Sequence, residues 1–282
     1  MSSPLTIQTK FHTIEGREWG NPHGKVILSF HGWLDNANSF EPLAKFFPDY
    51  RFIALDFPGH GKSSHKPPGT VYHFAEYALE IVSIANSLAL DSFILLAHSM
   101  GAAVSTLVAG TNLLNIEKLI LIEAIGPFTN PKEAAPDILA EAIKQVLHPR
   151  GKKETFFPNW ESAVAVRMRA GDMNQESVEK LLERGLEKTP KGLRPRRDLR
   201  LHYNSFFRLT DDQVVAFCKR INCPTLLVLG ESSSFPIAKL YEDRKNAVPN
   251  LKQVILPGGH HLHMDHPEIV AGEIINFINS SP

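Results

Sequence analysis

The 282-residue chain is 43% hydrophobic and 21% charged, which is enough apolar material to bury a substantial core and excludes a disordered chain. Thirty basic residues stand against thirty acidic ones, so no global charge draws the chain to nucleic acid or to an anionic membrane. Cys218 and Cys223 are too few for a disulfide scaffold and lack zinc-finger spacing, so they read as ordinary thiols. The opening stretch MSSPLTIQTKFHTIEG has no apolar core of a secretory signal, and no run approaches the roughly eighteen apolar residues of a membrane span. A soluble intracellular protein is the expectation.

In chain order, KVILSF, RFIALDF, SFILLA, EKLILIEA, PTLLVLG and KQVILPG are short runs rich in Val, Ile, Leu and Phe, most of them apolar on both faces. Such runs suit strands covered by helices on both sides. Between the second and third, FAEYALEIVSIANSLAL places Phe74, Ala78, Ile81, Ala85 and Leu88 at helical spacing. At the end, PEIVAGEIINFIN starts a helix with Pro267 in its first turn and Glu268 beside it. The alternation predicts an α/β fold with a mostly parallel central sheet flanked by helices.

From 127 to 210 the strand rhythm stops. EAAPDILAEAIKQVLH, ESAVAVRMRA and NQESVEKLLERGLEK read as helices, separated by the turn-forming stretches HPRGKKETFFP and TPKGLRPRRDLR. The expected organisation is a core formed by 1–126 and 211–282, with 127–210 as a helical cap insertion.

The chemistry begins at AHSMG, which joins an apolar strand to a helix rich in small residues. A serine on so sharp a turn projects its hydroxyl above the sheet, and the helix amino terminus offers backbone donors to negative charge. Ser99 is therefore the candidate nucleophile, with Gly101 two residues on and Ala97 two residues before. Upstream, the loop His31-Gly32-Trp33 follows a strand. It can give the backbone N–H of Trp33 to an oxyanion hole together with that of Met100, and Gly32 allows close approach of the substrate. GHGKSS tempts a nucleotide reading, but Asp56 stands where a phosphate loop needs its first glycine. The five basic residues of KGLRPRRDLR form a local patch without the aromatic interleaving of a nucleic-acid site, and a solvated cap face accounts for them.

HGW, DFPGHGKS, AHSMG and GGHHLHMDHPEIV occur in the order found in the α/β-hydrolase superfamily, and the resemblance spans nearly the whole chain, with the helical interval at the cap position. Within that superfamily the chain resembles the serine hydrolase-like proteins, relatives of haloalkane dehalogenases and epoxide hydrolases. Those two groups use an aspartate at the elbow, whereas Ser99 implies ester, thioester or amide hydrolysis through an acyl-enzyme. That chemistry calls for a small-molecule acyl substrate and for no metal or organic cofactor; the cytoplasm is the default location, and the resemblance adds the peroxisome as the other compartment. His31, Gly32, Trp33, Phe128 and His261 are candidate substrate-binding residues, and Phe156, Phe157, Trp160, Phe206 and Phe207 line either a cavity or ordinary packing interfaces.

The same alignment of motifs assigns the base. Gly259-His260 precedes the last helix, so His260 is the candidate for carrying the Ser99 proton. His263 and His266 are expected to face solvent or start that helix, and zinc binding by this histidine-rich segment lacks a cysteine or compact acidic partner. The acid departs from the family pattern. Ser233 stands where the family commonly has an aspartate; the resemblance points instead to Glu123, after EKLILI at the other acid position found in relatives, with Glu231 as the alternative. Without a supporting carboxylate the chain would be a weak or inactive hydrolase-fold protein that binds ligands or partners.

Overall fold

The computed structural model describes residues 2–149, 154–171, 173–233 and 239–280. Residues 150–153 of the turn-forming stretch after the first cap helix, and the last two residues of the chain, lie outside them. All six predicted apolar runs are strands: β3 Val26–Phe30, β4 Arg51–Leu55, β5 Phe93–His98, β6 Ile116–Ile122, β9 Thr225–Gly230 and β10 Leu251–Leu256. Their two-sided apolar character has a direct cause. Leu28, Phe30, Ile53, Leu55, Leu95 and Ala97 face one core, while the alternate residues Ile27, Phe52, Ala54, Ile94 and Leu96 face the other.

Two further strands, β1 Ser3–Gln8 and β2 Thr13–Gly20, extend the sheet antiparallel, giving the order β1-β2-β4-β3-β5-β6-β9-β10. Apart from these edge pairings the sheet is parallel. In β1 and β2 only Ile7, Ile14 and Gly16 are buried, so neither has an apolar run to announce it. The helix Glu76–Ser87 buries Tyr77, Ile81, Ile84 and Ala85 and packs on the helix Met100–Thr111 behind β5. The predicted terminal helix spans Pro267–Asn279, with proline in its first turn.

The cap contains the three expected helices, Ala135–Leu147, Trp160–Ala170 and Gln175–Gly185. Asn159 and Asn174 cap the second and third through their side-chain oxygens. It also contains a hairpin, β7 Leu186–Thr189 and β8 Gly192–Pro195: β7 takes over the last three residues of the stretch read as a helix, which ends at Gly185, and β8 lies in the stretch read as a turn. Gly192, at φ +116°, is suited to the turn, and a Cβ there would lie 2.4 Å from the Phe157 carbonyl oxygen. The cap's own apolar cluster is small: Val164, Met173, Val178 and Leu181, closed by Met264 from the core.

Polar contacts carry much of the cap's attachment. The Arg184 Nε lies 3.0 and 2.9 Å from the two Asp56 oxygens, and Asn36 and Asn38 donate to the Leu181 and Lys180 carbonyls. Both stems of the insertion meet the fully buried Arg244. Its guanidinium donates to the Ile125 carbonyl at 3.0 Å where the chain leaves the core, and to Asp211 at 2.9 Å where it returns.

Candidate active site

Ser99 lies between β5 and the helix Met100–Thr111 with φ 50° and ψ −113°, a conformation costly for a residue with a side chain. Its neighbours hold it there. Ser99 donates its N–H to the Ile122 carbonyl at 2.8 Å, and Gly101 donates to that of His31 at 3.1 Å. A Cβ at Gly101 would stand 2.3 Å from the Phe30 carbonyl oxygen, so the helix can pass this close to β3 only with glycine there. Ala97 is fully buried, and its methyl is tolerated at the position where glycine is more usual.

The short connection after β10 delivers His260 to this serine. His260 Nε2 is 2.9 Å from Ser99 Oγ, and Nδ1 is 2.9 Å from Glu123 Oε2. With Nδ1–H directed at the carboxylate, Nε2 presents its lone pair to the Ser99 hydroxyl; the hydrogen-bond network assigns this tautomer. Glu123 follows β6 at φ 64° and is 1% exposed. Its Oε1 accepts the Gly230 N–H at 2.6 Å, and Oε2 also accepts the Ser233 hydroxyl. Three donors therefore compensate the burial of this carboxylate.

Of the two candidate acids, only Glu123 reaches His260. Glu231 is exposed, and its backbone N–H pairs with the Leu256 carbonyl. Ser233, at the position where an aspartate was expected, contributes a hydroxyl to the carboxylate that stands in for it.

The other predicted residues divide by environment. Trp33 is half exposed, with Nε1 donating to the Leu201 carbonyl of the cap at 3.2 Å and its ring edge-on to His202. Phe128 and Phe207 are exposed, while Trp160 packs on the cap cluster and Phe206 against His73. His31 was expected to touch substrate, but it is fully buried. Its Nδ1 lies 2.7 Å from the Gly32 carbonyl, and its Nε2 accepts the Phe57 N–H at 3.0 Å, so the ring braces the loop. His266 does precede the terminal helix, at its N-cap. His263, expected in solvent or at the start of the terminal helix, is instead fully buried with Nε2 2.8 Å from Ser39 Oγ, because the short helix Leu262–Asp265 turns it inward.

Sequence reading missed the network beneath His260. Asp35, 4% exposed, accepts from Arg167 of the cap at 3.0 Å and lies 3.3 Å from His261 Nε2. Burial alone would raise its pKa; His261, through charge and hydrogen bond, and the Arg167 guanidinium outweigh that and hold it well below the usual carboxylate range. His98 Nε2 donates to the His260 carbonyl at 2.8 Å. Burial, with repulsion from His263, His260 and His261, keeps His98 neutral. Asp35 follows HGW by two residues, and only its spacing from that loop could have drawn attention to it.

Asp35, His98 and His261 could present three metal-ligand atoms within 4.8 Å of one another. Both Asp35 oxygens are already matched by Arg167 and His261, however, so the donor set works as a charge-balanced network. Cys218 and Cys223 are buried and their thiols are pushed up to about 11 by burial, which makes them inert as nucleophiles at neutral pH.

The model of the alpha/beta hydrolase fold family matches residues 25–267. The chain belongs to this family, among its serine hydrolase-like members. It is 30% identical to a serine hydrolase-like protein of Dictyostelium discoideum over 94% of this chain and 78% of that one, and 31% identical to a probable serine hydrolase of Drosophila melanogaster over 98% and 88%. The crystal structure of a hypothetical protein from Pseudomonas aeruginosa PAO1 superposes with a TM-score of 0.93 at 38% identity, covering 98% of this chain and 99% of that one. Among the described residues no helix is long and apolar enough to cross a membrane.

Proposed function

We propose that the chain is a serine hydrolase that cleaves a carboxylic ester or related small acyl substrate through an acyl-enzyme. One observation carries this reading: Ser99 Oγ, His260 and Glu123 form a continuous hydrogen-bonded line with 2.9 Å at each of its two links. In this reading Ser99 attacks the acyl carbonyl carbon while its proton passes to His260 Nε2. Glu123 holds the ring's tautomer and stabilises the imidazolium that forms. The backbone N–H groups of Trp33 and Met100 receive the oxyanion. As the tetrahedral adduct collapses, the proton on Nε2 goes to the departing alkoxide, thiolate or amine. Water then attacks the acyl-Ser99 ester, giving its proton to His260, and collapse returns that proton to Ser99 Oγ as the acid is released.

The contrary reading, a weak or inactive binding protein, depends on a histidine without a carboxylate, and Glu123 takes away its main support. The experiment is labelling with a fluorophosphonate probe. Native protein should be labelled and Ser99→Ala should not. Equal labelling of both removes Ser99 from its role, and folded native protein that resists the probe restores the binding-protein reading.

A further inference from the structure

The two motifs that the proposed reaction leaves without a part, GHGKSS and KGLRPRRDLR, meet in space. A cavity of about 350 Å³ lies on the seam between core and cap, walled by the turn after β4 and by β8 with the segment that follows it. Neither Ser99, His260 nor Glu123 lines it. Its permanent cations are Lys62 from the core and Arg194, Arg196 and Arg197 from the cap; its carboxylates are Glu154 and Glu187.

The carboxylates are already engaged. Arg194 lies 3.1 Å from Glu154 and also pairs with Glu187, which in turn holds Arg196 at 3.2 Å. Among the described residues, no ion pair is formed by Lys62 or Arg197. Arg197 is half buried, and its pKa is pushed down first by that burial and then by the like charge of Arg167. A cation held partly out of water without a counter-charge is costly, and an anion would relieve that cost.

Both free cations stand on fixed backbone. Lys62 N–H donates to Asp56 Oδ2 at 2.7 Å, in a turn so tight that a Cβ on Gly61 would lie 2.2 Å from the same oxygen. Arg197 pairs with His60 in an antiparallel bridge, and the next residue, Asp198, donates to the Gly59 carbonyl at 2.8 Å. The two backbones that carry the excess charge are thus fixed on opposite sides of the seam.

We propose that this cavity binds a phosphate-bearing anion, with Lys62 of the core and Arg197 of the cap as its two cationic anchors. Two uncompensated positive charges match a phosphate dianion, and the volume accommodates a phosphate monoester with a small organic body. Recognition here is by side-chain cations, in keeping with the lack of a phosphate-loop glycine pattern. Because its anchors come from different parts of the chain, the bound anion cross-links cap to core.

Isothermal titration calorimetry at fixed ionic strength tests this with inorganic phosphate, pyrophosphate, glycerol phosphate and succinate. One-site binding of at least one phosphate species is expected, weakened about tenfold or more by Lys62→Gln and by Arg197→Gln. Ser99→Ala and Lys252→Gln, the latter on the far edge strand, should bind as the native protein does. Tighter binding of inorganic phosphate than of glycerol phosphate identifies the free ion as the ligand, and the reverse order identifies a phosphorylated metabolite. No saturation by any phosphate species up to about 20 mM, unchanged affinity in Lys62→Gln, whose side chain is exposed and dispensable for folding, or succinate binding as tightly as the phosphates would each overturn the proposal.

Discussion

At the scale of single residues, the carboxylate beside His260 is the point on which the proposed activity turns. Glu123→Gln keeps the side chain's shape and its contact with Gly230, but it replaces a charge that stabilises imidazolium with a neutral amide. A loss of about 10²- to 10⁴-fold in kcat/KM on a reactive ester is expected, with near-native kinetics for Glu231→Gln. Ser233→Ala removes one donor from Glu123 and leaves two, so its expected cost is about 3- to 10-fold. Steady-state kinetics on the three folded variants decide the matter; a large loss in Glu231→Gln with none in Glu123→Gln would reverse the assignment. Glu123 was legible because a carboxylate at the end of an apolar run must find a partner. Ser233 was visible only as a missing aspartate, since nothing in a hydroxyl's local sequence says that it will donate to a group 110 positions away.

At the scale of elements, the cap's apolar cluster is small and the buried Asp56–Arg184 pair does much of the holding. Asp56 also accepts backbone N–H groups from Ala37 and Lys62, each at 2.7 Å. Removing Arg184 therefore leaves a carboxylate still served by two donors, whereas removing Asp56 strands a buried guanidinium and two amides. Asp56→Ala should cost about 3–5 kcal/mol and Arg184→Met clearly less, by urea unfolding. Equal losses would mean that the pair acts only as a pair. The strands that sequence reading missed share one cause. β1 and the cap hairpin lie at edges, and β2, paired on both sides, sits at the antiparallel margin beside β1; each buries at most two residues fully, so no apolar run develops. The helices were legible because amphipathic spacing survives in a thin layer over a core, and His263 was misplaced because four residues of helix are too few to show a period.

At the scale of the whole molecule, a set of buried histidines ties stability to pH. His31, His60, His98 and His263 are all held below the ordinary imidazole value chiefly by burial, His60 down to about 3. In each case the unfolded chain binds the proton more readily than the folded one. Their contribution is therefore complete above about pH 6.5 and is lost as pH falls through and below that value, by up to about 1.4 kcal/mol per pH unit for each histidine. Unfolding free energies measured in urea from pH 7.5 to 5.0 should fall steadily, while the histidine Cε1–H resonances of the buried set stay at neutral positions in the folded protein. A flat stability profile over that range would contradict the assignment.

The backbone at Ser99 implies a trade between durability and chemistry. Its φ of 50° with ψ of −113° suits glycine far better than any residue bearing a Cβ, yet only a residue with a side chain can attack. The two inert replacements should therefore part company. Ser99→Ala keeps the unfavourable torsions, whereas Ser99→Gly relaxes them and should melt higher than Ser99→Ala, by about 2–4 °C for each kcal/mol of strain relieved. The protein as it stands is then less durable than its own glycine-substituted, silent form, and the difference in melting temperature measures how much endurance is given up to keep a hydroxyl poised over the sheet.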